Sequence, residues 1–195
     1  MYLILDSETS GLPITEYFNM YNTYTDNTKY NSSRLVQLSW QVLNEQLKQV
    51  CFRDYIIKRD NFDIGNSHIH GITNEISDNG HLLNDVLDIL KSDLETCTTL
   101  VAHNLLFDYN IILNHCFRND RHEIIASLLQ KNKYCTGQKS TNLLKIKMKY
   151  SNYKMPKLSE LYYYFFKKEI ENAHNAAADV DACSKCFVEL KKIGI

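Results

Sequence analysis

Five residues in this sequence carry groups that could act together in catalysis: Asp6, Glu8, Asp108, His174 and Asp179. Asp6 and Glu8 follow the apolar run Tyr2-Leu3-Ile4-Leu5 and precede Gly11 and Pro13, which mark a turn. So short an unbroken apolar run suggests a strand buried on both faces of a sheet. Alternation along that strand sends Asp6 and Glu8 out of one face and Ser7 out of the other. Two carboxylates side by side at the end of a central strand repel each other and lose hydration. A divalent metal between them answers both problems. A polar surface turn is the weaker reading, because the apolar run leaves little room for a surface strand.

Two further acids sit on faces patterned for a core. On a helix, Asp108 shares a side with Leu105, Ile111, Ile112 and Cys116. Asp179, Cys183, Cys186 and Leu190 step by four, three and four, so Asp179 heads a buried stripe. Asp181 lies about 200° round the same helix and should face solvent. Burying a lone carboxylate is expensive unless it is paired, protonated or bound to metal. Taken singly, Asp108 is open to pairing with a buried Arg or Lys, and Asp179 to capping its own helix. Three separate places sending acids inward, with no matching inward cation in the pattern, favour one shared cationic centre. Oxygen ligands that leave room for water suit Mg²⁺ or Mn²⁺ rather than zinc. His174 is five residues before Asp179, on the loop into that helix if the helix begins near Asn175. An imidazole there can take a proton from water near neutral pH. A lone histidine is more often structural, and only its place beside Asp179 singles this one out.

The elements that must position these groups follow from hydrophobic period. Arg34 to Asn44 and Val50 to Ile57 read as a hairpin turning at Asn44-Glu45-Gln46. Thr73 is placed to cap a short helix. Leu82, Leu83, Val86, Leu87, Leu90 and Leu94 mark an amphipathic helix. Thr99 to Ala102 is a strand and Leu105 to Phe117 a helix. Residues 131–157 read as irregular, with one strand near Tyr134 and a short helix near Leu143. Helices follow around Leu158 to Phe166 and from about Asn175 to Lys192. Strands interleaved with helices and opened by a hairpin predict an α/β fold, a mixed sheet covered on both faces. Residues 14–33, crowded with Tyr, Asn and Thr, show no period and read as a long loop inserted in a single domain spanning 1–195.

The totals narrow the class. A chain of 195 residues fits one domain with a full core. A net charge of -1 gives no global attraction for a polyanion, so any such attraction must be local. No run spans a bilayer and no charged region precedes an apolar one at the N-terminus, which predicts an intracellular, cytoplasmic protein, with the nucleus open and secretion excluded. The cysteines sit mostly in apolar segments. Cys183 and Cys186 form one Cys-x-x-Cys without a second pair, which fits core packing better than zinc or redox chemistry.

Together these residues resemble the DEDDh group of 3′–5′ exonucleases, the family of the bacterial polymerase proofreading subunit, ribonuclease T and the animal TREX enzymes. Asp6-Ser7-Glu8-Thr9-Ser10-Gly11-Leu12-Pro13 is similar to the first motif, with serine for its second threonine. His103-Asn104-Leu105-Leu106-Phe107-Asp108 is similar to the second and His174-Asn175-Ala176-Ala177-Ala178-Asp179 to the third. His70-Gly71-Ile72-Thr73 and Pro156-Lys157-Leu158-Ser159-Glu160-Leu161 match accessory stretches. The resemblance implies a ribonuclease H-like fold with a mixed five-stranded sheet between helices. It implies two Mg²⁺ (or Mn²⁺) ions about 3.5–4 Å apart, one held by Asp6, Glu8 and Asp179, the other by Asp6 with Asp108. His174 would be the general base. Thr9, Leu12, His103, Asn104 and Phe107 would contact the 3′-terminal nucleotide, which leaves as a nucleoside 5′-monophosphate.

Nucleic acid 3′ ends are thus the expected partner, DNA favoured over RNA. No membrane partner is expected, and the sequence supports neither a polymerase nor a homodimer partner. Lys131, Lys133, Lys139, Lys145, Lys147, Lys149, Lys154 and Lys157, with Tyr134, Tyr150 and Tyr153 between them, form an acid-free stretch. It reads either as a track for the strand or as a solvated lysine-rich surface. The loop tyrosines Tyr17, Tyr21, Tyr24 and Tyr30, with Phe18, leave a strand clamp, a docking site and disorder equally open. The rival functions are a 3′ exoribonuclease and a retired exonuclease fold used for binding. The complete acid set argues against retirement, because unused buried acids are a standing cost.

Overall fold

The computed structural model describes residues 1–17, 20–149, 153–172 and 174–195. Phe18 and Tyr150 lie outside the described residues. The architecture is a mixed five-stranded sheet with helices, as the sequence leads one to expect. The central strand is β1 (Tyr2–Thr9), and the main hairpin is β4 (Leu35–Leu43) with β5 (Gln49–Ile56). Beyond β1 lie β6 (Thr99–Ala102) and β7 (Asn132–Cys135), giving the order β5-β4-β1-β6-β7. β1 runs antiparallel to β4 and parallel to β6.

Side-chain alternation on β1 divides the core. Leu3 and Leu5 join one apolar cluster with residues of α3 (Leu83–Glu95), α4 (Leu105–Arg118) and α5 (His122–Gln130). Ile4 joins the other, with α7 (Leu158–Phe166) and α8 (Ala176–Lys192). Asp6 and Glu8 have the parity of Ile4 and so open toward α8, while Ser7 opens toward α4. Pairing of β1 with β6 runs only from Tyr2 to Ile4. The acidic end of β1 therefore projects beyond its parallel neighbour, as a site at the carboxyl end of a sheet requires.

Two short helices, α1 (Ser67–His70) and α2 (Asn74–Asp78), follow β5, and Thr73 caps α2 by accepting from the Ile76 amide. α6 (Thr136–Leu144) follows β7 directly. α5 has no counterpart in the sequence reading, although Ile124, Ile125 and Leu128 form its buried side.

The 14–33 segment differs from the structureless loop expected. It holds a small hairpin, β2 (Thr15–Tyr17) with β3 (Met20–Tyr21), and a 3-10 turn, Asn27–Tyr30. Tyr30 is fully buried, and its hydroxyl donates to the Asn22 carbonyl at 2.7 Å. These elements are two to four residues long and take their stability from contacts distant in sequence, so no local period announces them. Gly11 is where this segment leaves the strand. A Cβ there would lie 2.7 Å from the Ser32 carbonyl oxygen, so the close approach needs glycine.

Candidate active site

Carboxylate oxygens of Asp6, Glu8 and Asp179 lie within 4.8 Å of one another. Two come from β1, and the third comes from the first turn of α8. Asn175 caps that helix, its side chain accepting from the Ala177 and Ala178 amides at 3.1 and 3.4 Å. Asp179 is thereby freed from capping and projects at β1. Asp181 points to solvent and pairs with Lys185.

Asp108 stands slightly apart from this trio and is buried. Its Oδ1 accepts from the Ser7 amide at 3.0 Å and the Ser7 hydroxyl at 2.7 Å. That backbone amide is open because β1 has already outrun β6. Among the described residues, no salt bridge reaches any of the four acids. The pairing of Asp108 with a buried Arg or Lys is thus not what holds it.

Crowding without a cation shifts the acids upward. Burial raises Asp6 well above the usual carboxylate range, and the charges of Asp108, Asp179 and Glu8 raise it further. Burial, then Asp179 and Asp108, push Glu8 up to about 8. Asp108 is raised by burial against the opposing effect of its Ser7 hydrogen bonds. Asp179 is raised by burial against the His174 amide bond. A cluster of oxygen donors that resists ionisation until a positive charge arrives fits hard divalent ions.

His174 lies on the loop ahead of α8, exposed, with a left-handed φ of 68°. Its amide donates to Asp179 Oδ2 at 3.2 Å, which ties the loop to the acid. Its side chain helps line a cavity of about 580 Å³ with Leu12, Pro13, Thr15, Tyr21, Asn104, Phe107 and Met155. That volume falls in the range of small-ligand sites, about 300–1,000 Å³.

Two of the residues expected to contact substrate are engaged with the protein. His103 Nε2 donates to the Pro156 carbonyl at 2.8 Å, and Nδ1 lies 3.0 Å from Thr136 Oγ1. His103 therefore braces α6 and the segment carrying Met155. The Thr9 hydroxyl donates to the Gly11 carbonyl at 2.7 Å, and Asn66 donates to the Thr9 carbonyl at 2.9 Å. Leu12, Asn104 and Phe107 do line the cavity.

Sequence reasoning missed Gln37 and the tie of Ser7 to Asp108, and it had Tyr21 only among the loop tyrosines open to a strand clamp. Gln37 lies opposite Glu8 on β4 and is buried. It donates to Asp54 Oδ1 at 2.8 Å and accepts from the Ala176 amide at 3.2 Å, bracing the start of α8 against the sheet. Ser39, opposite Asp6, also donates to Asp54. The signal available was the inward parity shared by Gln37, Ser39 and Gln41, polar residues on a strand otherwise apolar.

Lys133 sits 4.1 Å from the Tyr109 ring in one core, and Lys139 5.7 Å from Tyr134 in the other. Lys154 is paired with Glu160 at 2.7 Å. Tyr134 packs on Phe187 in the core and is not free to stack on a base.

A carboxylate set at the end of a central strand in a ribonuclease H-like sheet is compatible with metal binding and with the nuclease class. A family model described as exonuclease, of the ribonuclease T type, matches residues 3–187, and the chain belongs to this DEDDh 3′–5′ exonuclease family. It is a 3′–5′ exonuclease, a hydrolase of a family that uses divalent metals. The fold is similar to that of Exonuclease X in complex with 5′ overhanging duplex DNA, at 17% identity and TM-score 0.63, covering 100% of this chain and 93% of that one. It is also similar to E. coli Exonuclease I in complex with a dT13 oligonucleotide, at 15% identity and TM-score 0.67, covering 97% of this chain and 40% of that one. A 3′-exonuclease that recognises the histone mRNA stem-loop matches at 12% identity and TM-score 0.69, covering 99% of this chain and 82% of that one. No curated protein matches it in sequence. Among the described residues, no helix is long and apolar enough to cross a membrane.

Proposed function

We propose that this chain, acting as one domain over 1–195, removes nucleotides from single-stranded or frayed 3′ ends of DNA and releases nucleoside 5′-monophosphates. The observation that carries the reading is the convergence of Asp6, Glu8 and Asp179 oxygens within 4.8 Å without a protein cation among the described residues. Asp6, Glu8 and Asp179 would hold one Mg²⁺ or Mn²⁺, and Asp6 with Asp108 a second. When bound, the ions would supply a nucleophilic water and neutralise the leaving oxygen.

The chain's own residues do the rest. His174, at the cavity edge, takes a proton from the attacking water at a ring nitrogen. Its amide bond to Asp179 holds the loop so that base and acid keep their spacing. Ser7 fixes the Asp108 carboxylate from both its amide and hydroxyl. Leu12, Asn104 and Phe107 enclose the terminal nucleoside, while Glu8 and the backbone at Thr9 take its 3′-hydroxyl. His103 acts behind them by holding the Met155 segment in place.

An RNA-trimming activity is the second reading, favoured by the histone mRNA relative; the two DNA complexes favour DNA. Matched 3′-tailed DNA and RNA oligonucleotides, incubated with Mn²⁺, separate the two. Stepwise shortening from the 3′ end of DNA, faster than of RNA, is the expected result. Faster RNA trimming would reverse the preference, and binding without shortening would identify a retired fold.

A further inference from the structure

Residues 20–31 lie along α4 and are fastened at the end remote from the acids. Asn114 Nδ2 donates to the Tyr24 carbonyl at 2.8 Å and to Asn27 Oδ1 at 3.0 Å. Arg118 Nη2 donates to the Asn27 carbonyl and, at 2.8 Å, to Asn31 Oδ1. Among the described residues Arg118 has no carboxylate partner; it also donates to Asn114 Oδ1 at 2.8 Å. A half-buried guanidinium is here spent on holding backbone. Tyr24 packs edge-on against Phe117, with ring centroids 6.2 Å apart. The buried Tyr30 closes the strap, and Ile14 and Lys29 pair across it at 2.8 Å.

At its other end the strap reaches the cavity. β3 places Tyr21 with its ring centroid 6.4 Å from that of Phe107, tilted 59°. Tyr21, Leu12, Phe107 and Met155 are adjoining walls of the same 580 Å³ space, with His174 at its edge. The Tyr21 hydroxyl lies beside the Asn104 amide and within the field of Asp108; burial and that charge raise its pKa. An aromatic ring standing on the wall of a nucleotide-sized cavity offers a π-face to any unpaired base.

We propose that Tyr21 is a specificity residue that stacks on the unpaired 3′-terminal nucleotide, and that the strap fastened by Asn114 and Arg118 exists to hold it there. This rests on the exonuclease reading of the same site. Within the single-stranded or frayed ends proposed above, it favours a last base that is free of its partner and can turn its face fully onto the Tyr21 ring, over one held in a base pair that exposes only the outer face of the duplex end.

Steady-state hydrolysis of an oligonucleotide with an unpaired 3′ end and of its blunt duplex tests this. Tyr21→Ala should raise KM for the unpaired end by about 5- to 150-fold, the worth of one base–aromatic stack, with kcat largely kept. Tyr21→Phe, which keeps the ring, should stay close to the wild-type KM. Arg118→Met, far from the acids, should shift KM in the same direction as Tyr21→Ala while the melting curve shows a folded protein. The inference is overturned if Tyr21→Ala leaves KM and the unpaired-to-blunt ratio unchanged, or if Tyr21→Phe behaves like Tyr21→Ala. Wild-type protein that shortens no 3′ end would overturn the exonuclease reading itself.

Discussion

The floor and the wall of this site are built on opposite principles. The floor consists of Asp6, Glu8, Asp108 and Asp179, carried by one strand and two helices, half-buried to buried and pushed toward protonation. The wall is largely apolar, and Leu12 on it is 75% exposed. Charge that is expensive to bury needs regular elements to hold it in register. Apolar surface that waits for a nucleotide can be carried by short, chain-specific pieces, provided they are fastened elsewhere. The floor thus belongs to the chemistry and the wall to the choice of substrate.

The largest expected effect tests that division from the floor's edge. His174→Ala should lower kcat by roughly 10²–10⁴, a typical general-base contribution, while Mn²⁺ affinity persists. Near-normal turnover would remove His174 from the chemistry. Gln37 sharpens the comparison, since it touches neither metal nor substrate in this account. Gln37→Leu should weaken Mn²⁺ binding about 10-fold, at the low end for outer-shell support, by releasing the Ala176 amide at the start of α8. Its KM for 3′ ends should not follow the Tyr21→Ala pattern. Unchanged Mn²⁺ affinity would mean that α8 keeps Asp179 in place without this brace.

The floor was legible in the sequence because it is written in regular periods. Parity on β1 separates Asp6 and Glu8 from Ser7, and the four-three-four stripe separates Asp179 from Asp181. The same logic located β4, β5, β6, α4 and α8. The wall was legible only in part: the motifs point to Leu12, Asn104 and Phe107, which line it, but not to the place of Tyr21. β2 and β3 are too short to show alternation, and Tyr21 gains its position from Asn114 and Arg118, about ninety residues away along the chain. His103 is the opposite case: its motif is plain in the sequence, but its two ring nitrogens meet Thr136 and Pro156 only in the fold. Lys133 and Lys139 are close in the charge run, yet strand and helix geometry sets these exposed side chains over rings of different core clusters, Tyr109 and Tyr134.

The smallest effect concerns stability. Glu8 is held up to about 8 in the fold against 4.5 unfolded. A carboxyl raised in this way supports the metal-free fold below pH 4.5, and that support is lost as pH rises through about 8. His115, buried and neutral with its pKa lowered to about 3, acts in the other direction and only as pH falls below 6.5. Between pH 6.5 and 8 the acids therefore dominate. The metal-free protein should melt lower at pH 8 than at pH 6.5, and saturating Mn²⁺ should raise Tm more at pH 8. An equal Mn²⁺ shift at both pH values would mean the ion does not relieve the repulsion among these acids.

Mn²⁺ binding to wild-type protein and Asp6→Asn, followed by electron paramagnetic resonance without nucleic acid, tests the central claim most directly. The account predicts Mn²⁺ binding to the wild type and its near-complete loss in Asp6→Asn, with both proteins folded. Wild-type protein that binds no Mn²⁺, or an Asp6→Asn variant that binds it equally well, would contradict a metal centre on these carboxylates.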